Sequence, residues 1–231
     1  MEKALKKYID SASVDGKEEL RQLLQQTSSV DRYSLLMNVR GDKYYNGTGP
    51  HIAAIWNDLD TMKCMLNGLT GDQKYNVLNI QTGDGISALH YAAWGGYTSI
   101  ITYLLTDLSQ QQKYNLLQLQ KEDGDTPLHD AASQQQSEAV QAILTSLSLP
   151  LLLQLLNIKN NEDKTAADIR PEIYDELPVQ TSQGIVMLHI LQLHNIMSKK
   201  GQTVADIRPE VYKEPPLMIS QGIVILHIYY V

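Results

Sequence analysis

The chain has 231 residues, with 26 acidic against 19 basic side chains and a formal charge of -7 at pH 7. That balance argues against a nucleic-acid partner, because such affinity comes mostly from Lys and Arg displacing phosphate counterions. Cys64 is the single cysteine, which excludes an intramolecular disulfide framework and a multi-thiolate zinc site.

The amino end turns polar at once and holds no apolar run of signal-peptide length. It reads as a helix from about Glu2 to Ser11, a break at Asp15-Gly16, and a second helix through Leu20, Leu23 and Leu24, whose spacing buries one face. This pair is expected to form a helical terminal cap. Ser28 and Asp31, ahead of Tyr33-Ser34-Leu35-Leu36, mark a further helix start.

A skeleton then recurs. It stands worn as Thr48-Gly49-Pro50-His51-Ile52-Ala53-Ala54, returns as Ser87-Ala88-Leu89-His90-Tyr91-Ala92-Ala93, and is clearest as Thr126-Pro127-Leu128-His129-Asp130-Ala131-Ala132. The histidines keep an even interval, since 90 minus 51 and 129 minus 90 both give 39. Ser87 and Thr126 are placed to cap a first helix, Pro127 suits its first position, and Gly95-Gly96 is expected to end it with positive φ. Ile100, Ile101, Leu104 and Leu105 give a second helix with one apolar face.

On these motifs the chain resembles the ankyrin-repeat family, whose usual period is about 33 residues. Six positions are therefore extra in each unit. Thr70 with Gln73 and Ser109 with Gln112 fit capping boxes, which predicts a short third helix per repeat, with Leu108, Tyr114 and Leu117 packing on the back of the array. The expected fold is an all-α ankyrin-repeat solenoid with an extended period of 39: a cap repeat and linker over 1–45, three repeats over 46–162, and two degenerate units over 163–231.

The tail carries its own duplication. Asp168 stands where the repeats have histidine, and Pro171 must shorten or reset the helix there. Ala167 to Tyr174 returns as Ala205 to Tyr212, and Ser182 to Val186 as Ser220 to Val224, at one offset, since 205 minus 167 and 220 minus 182 both give 38. The segment from Ile185 to Met197 has the length of a second helix, although its β-branched richness leaves a strand open. It falls short of the roughly 20 residues of a membrane helix. With no export signal, a soluble cytoplasmic protein is expected.

The histidines invite a metal or catalytic reading. Successive repeats set them on the order of 10 Å apart by helix-packing distances, too far for shared ligation at about 2 Å per bond. In the family this histidine hydrogen-bonds backbone, so its expected role is structural. No paired carboxylates, triad or metal cluster emerges. The chain is read as a non-enzyme with no catalytic residue, metal or cofactor.

The resemblance implies partner contacts from the turn before each motif and from the residues after the alanine pair. Carried over, these are Tyr44, Tyr45, Gly47, Ile55 and Trp56 in the first repeat and Gly83, Asp84, Ile86, Trp94 and Gly95 in the second. The third offers Glu122, Asp123, Asp125, Ser133 and Gln134, and the degenerate fourth Asn161, Glu162 and Lys164. An aromatic patch beside an acidic one is expected to dock another protein, with an extended or basic segment, in the concave groove, because large aromatics dominate binding hot spots. The competing expectation is that both tryptophans merely pack between repeats. Two other functions stay open: self-association through the apolar carboxyl-terminal units, or a fragment of a larger ankyrin-containing scaffold or enzyme.

Overall fold

The computed structural model describes residues 1–11, 17–41 and 46–170, and the backbone of 177–181, 184–191, 217–220 and 223–229. The break expected at Asp15-Gly16, Tyr44, Tyr45 and Pro171 lie outside the described residues, as does most of the duplicated tail.

Thirteen described helices stack in register. They are α1 (Glu2–Ser11), α2 (Lys17–Gln26), α3 (Ser29–Asn38), α4 (Gly49–Ile55), α5 (Leu59–Leu66), α6 (Gly71–Leu78), α7 (Ala88–Trp94), α8 (Thr98–Leu105), α9 (Gln110–Leu117), α10 (Pro127–Ser133), α11 (Ser137–Thr145), α12 (Leu149–Leu156) and α13 (Ala166–Ile169). Neighbours repeat every third helix: α1, α4, α7, α10 and α13 lie side by side, as do α2, α5, α8 and α11, and then α3, α6, α9 and α12. The array is an all-α repeat solenoid three helices deep. The six extra positions per period make the third layer, where Thr70 with Gln73 and Ser109 with Gln112 form the capping boxes the spacing implies.

Close approach of the first-layer helices needs small side chains, and Ala53, Ala54, Ala92, Ala93, Ala131 and Ala132 are all fully buried. Ile100, Ile101, Leu104 and Leu105 are buried on α8, as are Leu5, Tyr8 and Ile9 on α1. Three-layer stacking leaves carbonyls at the carboxyl end of each second-layer helix, and buried cations from the third layer meet two of them. Arg32 Nη1 donates to the Cys64 carbonyl at 3.1 Å, and Lys74 Nζ donates to those of Tyr103 and Thr106 at 2.7 and 2.8 Å. Cations suit a helix carboxyl end, where the backbone dipoles place partial negative charge. Burial draws the Lys74 ammonium down to about 8.

The histidines staple one repeat to the next. Each Nδ1 accepts the backbone N–H of its own cap residue, from Thr48, Ser87 or Thr126 at 3.1 to 3.2 Å. Each Nε2 meets a carbonyl of the following repeat, at Ile86, Asp125 or Lys164, 3.1 to 3.2 Å away. A backbone N–H can only donate, so Nδ1 is the acceptor and Nε2 carries the proton. Asp168 does the first half of this task in α13, where Oδ2 accepts from the Thr165 N–H at 2.8 Å. That helix stops after four residues, as a proline at 171 requires.

Turns stack in the same rhythm. Gln120 Nε2 donates to the Gly124 and Lys159 carbonyls at 2.6 and 2.9 Å, and the Asn161 N–H donates to the Asp123 carbonyl at 3.0 Å. Gly124 has φ of 83°, and a Cβ there would lie 2.6 Å from the Asn161 backbone nitrogen. Gly124→Ala therefore combines left-handed strain of about 1–2 kcal/mol with displacement of a bonded turn. It is expected to destabilise the array by about 2–4 kcal/mol in urea unfolding, at the upper end of single-site effects; an unchanged midpoint would refute the stacking argument. Gly95, expected to take positive φ, has φ of -79° instead, and Gly96 carries the left-handed turn at φ 70°. Gly95 is small for another reason, since a Cβ would collide with the Tyr97 ring.

Beyond Arg170 the described backbone is extended. Where a helix from Ile185 was the first expectation, the chain forms β1 (Leu177–Thr181), β2 (Gly184–Leu191), β3 (Leu217–Ser220) and β4 (Ile223–Tyr229), ordered β1-β2-β4-β3. Ile185, Val186 and Ile190 lose side-chain freedom in a helix and suit a strand. The duplication appears in the pairing: each copy is an antiparallel hairpin, and β2 runs parallel to β4 with equivalent residues opposite, His189 beside His227.

Candidate partner-binding site

Trp94 ends α7 and Ile55 ends α4, so the first-layer helices bring both to one rim. Together with Ile86 they line a pocket of about 460 Å³, completed by His90, Tyr91, Tyr97, Lys121 and Asp130. Neither tryptophan is packed away between repeats: Trp56 is 51% and Trp94 57% exposed. Trp56 is not part of that lining. Tyr97 completes the wall because Gly95 leaves room for its ring.

The acidic side is organised around a lysine. Lys121 Nζ lies 2.8 Å from Asp130 Oδ1, 3.2 Å from Asp123 and 3.7 Å from Asp125. Asp125 also accepts from Asn160 Nδ2 at 2.7 Å. Burial works against the Lys121 ammonium, but Asp130 and Asp123 hold it above its ordinary value. Burial pushes the Asp130 carboxyl up to about 6, against the pull of Lys121, with Asp125 and Asp123 adding to the rise. Of the expected acids, Glu122 and Asp123 are exposed, and Asp84 is half-buried with its carbonyl accepting the Glu122 N–H at 3.1 Å. Ser133 and Gln134 stand outside the pocket lining, with Ser133 Oγ donating to the Asp130 carbonyl at 2.9 Å. Asn161 holds the turn, donating from Nδ2 to the Glu122 carbonyl at 2.8 Å, while Lys164 pairs with Glu162 at 2.8 Å.

Tyr91, Tyr97, Lys121 and Asp130 are the lining residues the sequence reading missed. Aligning the chain in columns one repeat period apart supplies a signal, because Tyr91 and Asp130 share a column with Ile52, and Tyr97 shares one with Asp58 and Gln136. A column whose residue type changes from one repeat to the next marks a place where a repeat does something besides stack.

Residues 50–150 match the family model for ankyrin repeats, in three copies. That segment is an array of ankyrin repeats. Ankyrin repeats generally mediate protein–protein interaction and are generally non-enzymatic. No curated protein matches the chain. Within the ankyrin array and the other described residues, no group of three histidine, cysteine or acidic side chains gathers to hold a metal ion, and no helix is long and apolar enough to cross a membrane.

Proposed function

We propose that this ankyrin array is a non-enzymatic recognition module of the cytoplasm that docks an extended segment of another protein along its concave face. The observation that carries the reading is half-exposed Trp94 lining an apolar pocket between the second and third repeats, with Trp56 half-exposed outside that lining. Leaving each indole half in water forgoes roughly half of the about 2–3 kcal/mol that full burial of a large apolar side chain is worth, and a partner's surface recovers it. A fold alone does not fix function, so the argument rests on these side chains.

Affinity capture with the wild-type chain, followed by titration of the purified partner, tests the reading. Trp94→Ala is expected to weaken that partner by at least about 2 kcal/mol, roughly 30-fold, and the Trp56→Ala, Trp94→Ala pair by more. Circular dichroism should be unchanged, because both side chains are half in water. A partner held equally by wild type and double variant refutes the groove. A second reading, self-association through the tail, draws on the in-register pairing of β2 with β4, in which one copy of a duplicated unit already pairs with the other. It requires a mass that rises with concentration in light scattering, and a constant monomer removes it.

A further inference from the structure

We infer that the pocket between the second and third repeats takes a cationic side chain of the partner segment, its stem against Ile55 and Ile86 and its charge between the aromatic rings and Asp130. This rests on the groove reading above and adds the chemistry of its anchor.

Three observations converge on a cation. The first is charge: Lys121 and Asp130 line the pocket, and Asp123 and Asp125, outside the lining, also lie within 3.7 Å of the Lys121 ammonium, so the cluster carries a negative surplus that an entering cation reduces. The second is Asp130, whose side chain is 5% exposed and lines the pocket. Lys121 engages only Oδ1, and Oδ2 accepts no hydrogen bond among the described residues. A buried carboxylate with an uncommitted oxygen gains from a second donor. The third is the wall. Tyr91, Trp94 and Tyr97 line one pocket with that carboxylate, and aromatic faces attract cations through their quadrupoles, most strongly for tryptophan and when water is excluded. His90 brings no competing charge, since its Nδ1 accepts the Ser87 N–H and so carries no proton.

The volume of 460 Å³ sits inside the range of about 300–1,000 Å³ typical of small-ligand sites. Long cationic side chains suit such a site, because their methylene stems pack on apolar surface while the head keeps polar company.

The probe is the tripeptide acetyl-Gly-Arg-Gly-amide, titrated into the full chain while the indole N–H signals are followed by NMR, with Trp56→Phe assigning the two. The Trp94 signal is expected to shift saturably and the Trp56 signal to move less. The citrulline tripeptide, equal in shape but neutral, is expected to bind at least about tenfold more weakly, and so is the arginine probe to Asp130→Asn, which keeps an acceptor for Lys121. Three results overturn the inference: citrulline matching arginine, a glutamate tripeptide binding more tightly than arginine, or no saturable shift with arginine. If any of these occurs while Trp94→Ala still loses the protein partner, the groove stands and its cationic anchor falls. If the tryptophan double variant keeps the partner, the groove reading itself falls.

Discussion

Replacing Asp58 with alanine is expected to destabilise the protein by about 3–5 kcal/mol, the usual cost of removing one member of a buried ion pair, and to release the first two helices from the array. Asp58 caps α5 and is 6% exposed. Its carboxylate accepts the Thr61 N–H at 3.1 Å and the Thr61 hydroxyl at 2.9 Å. From α2, Arg21 Nη2 reaches it at 2.6 Å and Lys17 Nζ at 3.3 Å, and from α1 the Tyr8 hydroxyl at 3.4 Å. Burial raises the carboxyl, but the Thr61 N–H and Arg21 outweigh it and hold the group below its ordinary value. Alanine leaves Arg21 with only the exposed Glu18 carboxylate, 3.8 Å away, and the Tyr8 hydroxyl buried without its Asp58 acceptor. Helices of ten residues are marginal alone, so α1 and α2 depend on this clasp together with Leu5, Ile9, Leu20 and Leu24, which are fully buried. Hydrogen exchange should show α1 and α2 losing protection before α7 and α10. Asp58→Asn keeps an acceptor for Thr61 and should cost less. If α1 and α2 remain as protected as α7 in the alanine variant, apolar packing alone holds them and the clasp argument fails.

The same repeat position shows why part of the site was illegible. Asp58, Tyr97 and Gln136 each precede a second-layer helix at equivalent places, yet one clasps the amino-terminal helices, one walls the pocket, and one lies against Gly96. Sequence spacing fixes the place, whereas the task depends on what the neighbouring repeat presents. The repeat itself was legible because Thr126 to Ala132 states every local requirement at once: cap, first-position proline, histidine staple and small close-approach pair. The third layer was legible for the same reason, through two capping boxes. Ile55, Ile86 and Trp94, where the family resemblance implies contacts, line the pocket, while Lys121 and Asp130 carry no such signal, since their meaning is a 2.8 Å contact between a turn and the helix that follows it. The segment from Ile185 was ambiguous for a different reason: a short, largely apolar run with few polar residues has too little periodicity to separate helix from strand.

Lowering the pH from 6.5 to 4 is expected to remove about 4 kcal/mol of stability, a large share of the roughly 5–15 kcal/mol that holds a domain folded. Burial lowers His51 and His90 from 6.5 to about 4 and lowers His129 as well. The geometry agrees, because a proton on Nδ1 would face the N–H of Thr48, Ser87 or Thr126 and turn an acceptor into a clashing donor. The folded values lie below the unfolded ones, so the unfolded chain takes up protons first as pH falls. The stabilisation is therefore present in full above 6.5 and gone once pH has fallen through about 4, at about 3 kcal/mol for each of His51 and His90. Asp130 works the other way: its folded value near 6 exceeds the unfolded 3.8, so its protonation below 6 favours the folded state and offsets nearly one histidine. The net is one to two protons, or about 1–3 kcal/mol per pH unit near pH 5. Asp58, held below 3.8, adds its own loss only at lower pH. Urea midpoints measured between pH 7.5 and 4.5 should fall along that slope. In His90→Gln the amide oxygen can still accept from Ser87, so the midpoint at pH 7.5 should drop while the slope flattens by about one proton. A midpoint constant from pH 7 to 5 would mean that the staples bind protons as readily folded as unfolded, and that the histidines do not hold the repeats in the neutral form the hydrogen bonds require.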